Sequence, residues 1–78
     1  MPKYYFHIRD GDELEVDDMG TEFANLELAV SDAKLAAKEM IAELLMAGDV
    51  VDGQQFEISD NRGEILATIP FRSVLRLH

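Results

Sequence analysis

The chain has 78 residues, no cysteine, an apolar share of 47% and a formal net charge of −9. A chain of this size is one domain, 1–78, burying only about 60% of the surface its unfolded form exposes. The missing cysteines exclude disulfides, thiolate nucleophiles and sulfur-ligated zinc, and the charge opposes direct nucleic-acid binding, which draws its affinity from Lys and Arg replacing counterions.

No apolar run approaches the roughly 18 residues of a membrane helix. The opening Met1-Pro2-Lys3-Tyr4-Tyr5-Phe6-His7 lacks the apolar region and small-residue cleavage site of a secretory signal. These features predict a cytoplasmic protein with no membrane partner.

Tyr4-Tyr5-Phe6-His7-Ile8 is rich in β-prone residues and reads as the first strand. Alternation sends Tyr4, Phe6 and Ile8 to the core and Tyr5, His7 and Arg9 to the opposite face. Asp10-Gly11-Asp12 has hairpin chemistry, leading to a second strand Glu13–Asp17 in which Leu14 and Val16 are expected inside and the acids outside. Met19–Ala24 is a connection, with Gly20 a turn and Phe23 an apolar plug at the helix entrance.

Asn25 to Gly48 delimits the helix on which the domain is organised. Asn25 is the expected N-cap, with Glu27 and Asp32 placing charge toward the positive end of the dipole, and Gly48 suits the left-handed position after the last turn. A third strand, Gln54–Ser59, turns Phe56 and Ile58 inward. Asp60-Asn61-Arg62-Gly63 is a turn, and the fourth strand, Glu64–Ile69, is apolar on both faces, which predicts an inner or doubly covered strand ended by Pro70. The tail from Phe71 to His78 is read as a short helix. The expected fold is α+β, ββαββ, with one long helix packed on a four-stranded, mainly antiparallel sheet.

At about 100° per residue, Leu26, Ala29, Val30, Ala33, Ala37, Met40, Ile41 and Leu44 form the sheet-facing stripe of the helix. Leu28, Leu35, Ala42 and Met46 align on nearly the opposite side, where a one-sided helix carries polar residues. Three readings fit that line: an interface in a homodimer or with another protein partner, a cover formed by Phe71, Val74, Leu75 and Leu77 of the tail, or plain exposure. Leu28, Leu35 and Met46 are the candidate interface residues.

The acids around Asp10-Gly11-Asp12 miss the calcium-loop pattern, which requires an acid or Asn at Leu14, Gly at Glu15 and Glu at Thr21, so no metal or other cofactor is expected. Tyr5, His7 and Arg9 form the candidate ligand site, sharing a sheet face with Glu13, Glu15, Glu57, Ser59 and Thr68. No serine, cysteine or second histidine stands at the spacing of a catalytic set, so the chain is read as no enzyme. The competing structural reading pairs Arg9 or His7 with Glu15 across strands. Tyr4-Tyr5-Phe6 has the makings of a base-stacking platform, against which the charge again argues.

Pro2-Lys3-Tyr4-Tyr5-Phe6-His7-Ile8-Arg9-Asp10-Gly11, Asp52-Gly53-Gln54-Gln55-Phe56-Glu57-Ile58-Ser59-Asp60 and Ile69-Pro70-Phe71 resemble a family of short uncharacterised bacterial proteins, a domain of unknown function, over nearly the whole chain. That resemblance implies no activity and carries over no site residue. About half the chain also resembles the N-terminal domains of HicB-type antitoxins, which join a short sheet to a helix entered through a start like Leu26-Glu27-Leu28-Ala29. This second resemblance implies an antitoxin-like partner of a basic protein, without the DNA-binding module such antitoxins carry. The residues themselves favour an acidic, non-enzymatic, dimeric interaction module, the alternative being a small-ligand-binding or catalytic domain on the Tyr5, His7 and Arg9 face.

Overall fold

The computed structural model describes residues 1–74. One helix, α1 (Leu26–Met46), lies across an antiparallel sheet built from β1 (Lys3–Asp10), β2 (Glu13–Glu15), β3 (Thr21–Glu22), β4 (Gln54–Ser59) and β5 (Ile65–Pro70), and a 3₁₀ turn follows at Phe71–Val74. The sheet runs in the order β2-β1-β4-β5, with β3 added to the N-terminal end of β1. This is the expected α+β class with a fifth strand, because Thr21–Glu22, inside the connection to the helix, pairs with Lys3–Tyr4.

The helix begins and ends where its local chemistry directs. Asn25 Oδ1 accepts from the Leu28 amide at 3.0 Å, satisfying one of the first-turn donors that the helix leaves free. Gly48 takes φ +83°, and there its amide donates to the Leu45 carbonyl while that of Asp49 donates to Leu44. The two bonds together form the Schellman stop.

Ala29, Ala33, Ala37 and Ile41 form the buried row of α1 at four-residue spacing. The small side chains bring the helix backbone close to the sheet, which supplies the bulk of the core in Tyr4, Phe56, Ile58 and Ile69. Aromatic rings connect through this core. The ring centroid of Phe23 lies 5.8 Å from that of Phe6 in a stacked pair, Phe6 lies 6.1 Å from Phe56 edge-on, and Phe56 lies 5.1 Å from Phe71 in a tilted pair. Such pairs are worth about 0.5–1.5 kcal/mol beyond area burial.

The structure corrects three expectations. Leu14 is not a core residue. It pairs directly with Arg9, which places it on the sheet face away from α1, and it is 41% exposed, while Glu13 and Glu15 take the helix-side face beside Asp10 and Ile8; Val16 lies beyond the strand and is exposed. The Asp10–Glu13 hairpin sets this phase, because Gly11 and Asp12 form a two-residue loop and Gly11, at φ +62°, is the first of them.

The apolar strand β5 is an edge strand rather than an inner one, leaving Ile65 and Leu66 exposed and allowing Pro70, which has no amide to donate, to pair with Gln55. Finally, the described part of the tail does not cover the outer line of α1. Phe71 is 1% exposed inside the core and Val74 packs against the same cluster, so Leu28, Leu35 and Met46 stay open. Leu75 and Leu77 lie outside the described residues.

Candidate functional site

The face of the sheet away from α1 brings together the polar side chains of β1 and β4. Register pairs Tyr5 with Ser59, His7 with Glu57 and Arg9 with Gln55, so Tyr5, His7, Arg9, Glu57 and Ser59 share that face as expected, and Thr68 joins them opposite Glu57. Glu13 and Glu15 do not, being on the other side of the sheet.

The predicted pairing of Arg9 or His7 with Glu15 is therefore replaced by diagonal contacts to β4. Arg9 Nε donates to Glu57 Oε2 at 2.6 Å, and Gln55 Nε2 donates to the same oxygen at 2.9 Å. The hydrogen bonds from Arg9 and Gln55 hold the Glu57 carboxyl below its ordinary range, and Glu57 in turn raises the Arg9 guanidinium.

His7 is engaged at both ring nitrogens. The Asp17 backbone amide donates to Nδ1 at 3.1 Å. Because an amide can only donate, Nδ1 carries no proton, and the ring proton sits on Nε2, which donates to Ser59 Oγ at 2.8 Å. Tyr5 stacks nearly parallel to the imidazole at 6.5 Å.

Asp17 completes the arrangement from the segment between β2 and β3. Its Oδ2 accepts from the Phe6 amide at 3.0 Å, while Oδ1 accepts from the amides of Met19 and Gly20. Partial burial pushes its carboxyl up, but the three amide donors outweigh that and leave it below the ordinary range.

Serine, histidine and aspartate within hydrogen-bond reach invite comparison with a nucleophilic relay. In such a relay the hydroxyl gives its proton to Nε2 while Nδ1–H is held by the carboxylate. Here both polarities are reversed. The Asp17 carboxylate is turned to backbone amides, Nε2 already holds its proton, and Ser59 is 1% exposed. The arrangement fixes the imidazole in one tautomer and joins three chain segments, and it does not activate Ser59. Among the described residues, no group of three or more His, Asp or Glu stands close enough to hold a metal ion.

Sequence reasoning thus found Tyr5, His7 and Arg9 on one face and put Ser59 on it too, but it did not assign the Ser59 bond to His7 and it missed Asp17. The Ser59 bond was discoverable, since Ser59 is a diagonal neighbour of His7 once the strands are in register. Asp17 was hidden in a run of acids and is placed only by the break between β2 and β3. The three candidate ligand residues face each other and β4, and the cavity of about 750 Å³ beside α1 is lined by none of them.

The candidate interface residues are far from this face. Leu28, Leu35 and Met46 are 50%, 60% and 89% exposed along the outer line of α1. No helix among the described residues is long and apolar enough to cross a membrane.

Residues 3–72 match the model of a protein family described as Domain of unknown function (DUF6894). No curated protein and no solved structure matches the chain.

Proposed function

The chain belongs to this family, whose description assigns no activity, and we propose that it is a non-enzymatic interaction module that pairs with a second copy of itself through the outer line of α1. The observation that carries this reading is the exposure of Leu28, Leu35 and Met46 on one side of a helix whose other side already fills the core. These positions span about 27 Å at 1.5 Å per residue, and a domain of this size gains stability from burying such a line against a partner.

Charge selects the orientation. Lys34 and Lys38 flank the line on one side, and Asp32, Glu39 and Glu43 flank it on the other. A two-fold pairing with antiparallel helices sets like flanks together, whereas parallel helices set the lysines of one copy against the acids of its partner. The parallel arrangement is the one proposed.

Light scattering of the wild type and of Leu35→Glu tests the pairing. The wild type is expected at twice the chain mass and the variant at the chain mass with its fold intact. A wild type that stays monomeric at high concentration overturns the reading.

A further inference from the structure

A groove opens between the β1–β2 hairpin and the C-terminal half of α1, with a volume of about 750 Å³, within the range of ligand-binding cavities. Ile8, Met40, Leu44 and Phe71 give it an apolar lining, and four carboxylates, Asp10, Glu13, Glu15 and Glu43, also line it. Strand register explains the acids. Asp10 lies opposite Glu13 and Ile8 lies opposite Glu15, so three carboxylates share the helix-side face of the sheet at its open corner.

The two ion pairs formed among the described residues, Arg9 with Glu57 and Arg72 with Asp52, use none of these four acids. Like charges gathered around an apolar surface repel, and a cation brought among them relieves that repulsion. No three of the acids converge closely enough to hold a metal ion. Their spread suits several positive charges distributed along one chain.

We propose that this groove docks a basic, apolar peptide segment of a partner protein. Its apolar side chains rest on Ile8, Met40 and Leu44, which are partly exposed, and its Lys or Arg heads reach Glu13 and Glu15, with Glu43 at the rim. The charge complementarity selects the partner's sign, and the apolar lining selects segments in which leucine-like residues alternate with the cations. Lys and Arg fit such a site because their hydrocarbon stems lie along apolar surface while their heads stay with the carboxylates. The thioether of Met40 adapts to the side chain it meets.

The floor of this site is separate from the self-pairing surface: Met40 and Leu44 lie on the opposite side of α1 from Leu28, Leu35 and Met46. Of the groove's residues Glu43 alone also borders the self-pairing line, so the test rests on the sheet-side acids. Inward charges on a short edge strand also discourage edge-to-edge aggregation, and the experiment separates the two roles.

The isotope-labelled full chain is titrated with the peptide Leu-Lys-Leu-Lys-Leu-Lys, with Ser-Lys-Ser-Lys-Ser-Lys as the charge-matched control. Amide shifts are expected to concentrate on residues 8–15 and 40–44, the serine peptide to bind more weakly, and Glu13→Gln with Glu15→Gln to lower affinity about tenfold, the sum of two exposed charge contacts. Asp10→Asn, an exposed sheet-side carboxylate of the same groove, serves the same purpose if the double variant unfolds. Equal binding by the serine peptide, or shifts spread over Glu22, Asp32 and Glu64, reduces the effect to net charge and overturns the proposal. Absence of binding leaves Glu13 and Glu15 as edge guards and overturns it as well. Contacts from Leu75 or Leu77 to Met40 or Leu44 in the free chain do so too, by making the chain its own occupant.

Discussion

His7 and Asp17 meet through the backbone of one and the side chain of the other: the Asp17 amide donates to His7 Nδ1 at 3.1 Å while the Asp17 carboxylate turns back to the Phe6 amide. A single tautomer follows. Long-range proton–nitrogen spectra are expected to show Nδ1 as the unprotonated and Nε2 as the protonated nitrogen of His7. Ser59 is expected to resist serine-directed acylating and phosphonylating reagents, since its neighbour already holds the proton a general base would have to accept. Labelling of Ser59 by such a reagent would reverse the assignment.

Asp17 is expected to matter for stability out of proportion to its place in an acidic run. Asp17→Ala removes the acceptor of three backbone amides, of which that of Phe6 lies in the sheet. The loss is expected to be about 1–3 kcal/mol in chemical denaturation, the penalty for leaving a buried donor without a partner.

Acid should weaken the fold in a defined window. The carboxyls of Asp17 and Glu57 both lie below their ordinary values in the folded chain. The unfolded chain therefore takes up protons first as pH falls, and the stabilisation is complete above about pH 5, past the unfolded carboxylate range, and is lost as pH drops through the lower folded values. Denaturation midpoints at neutral pH and at pH values below that range should differ, and the difference should shrink in Asp17→Ala and in Glu57→Gln.

Gly20 has φ +73°, and a Cβ placed there would stand 2.7 Å from the Lys3 side chain and 2.9 Å from the Tyr5 ring. Gly20→Ala thus meets backbone strain and close contact together. It is expected to cost about 1–3 kcal/mol. Gly11→Ala, whose added carbon meets open space, should cost less in the same thermal or chemical melt.

Phe71 is the strongest single anchor expected of the tail. It is almost fully buried against Phe56, and Phe71→Ala should lower stability by about 3–5 kcal/mol. Leu35→Ala, on the outer line of α1, should change the stability of an isolated chain by no more than about 0.5 kcal/mol. A large effect of Leu35→Ala that grows with protein concentration is the signature of the proposed pairing.

Local chemistry was the legible part of the sequence. Asn25 and Gly48 delimit α1 by interactions spanning only a few residues, and the alternation in β1 and β4 is long enough to assign both faces. In Glu13-Leu14-Glu15 alternation is short and its phase is set by pairing with β1, so hydrophobicity alone put Leu14 on the wrong side. Reading Gly11-Asp12 as a complete two-residue loop would have paired Asp10 with Glu13 and corrected it. Strand β5 misled for a related reason, since an apolar segment reads alike in the middle and at the edge of a sheet. The roles of Asp17 and Ser59 belong to contacts over 10 and 52 residues of sequence, which no local pattern encodes.

The split between β2 and β3 reaches beyond the domain itself. Where a continuous outer strand would have offered its backbone, Asp17 offers a side chain to Phe6, so this flank gives a passing chain no unbroken template on which to grow. The opposite flank, β5, is longer, but it terminates in Pro70, whose missing amide stops a growing ladder. Among the described residues, fibre-like extension by strand addition is thereby confined to one short stretch, Ile65 to Ile69. An acidic protein that exposes several leucines can remain dispersed at high concentration on these terms.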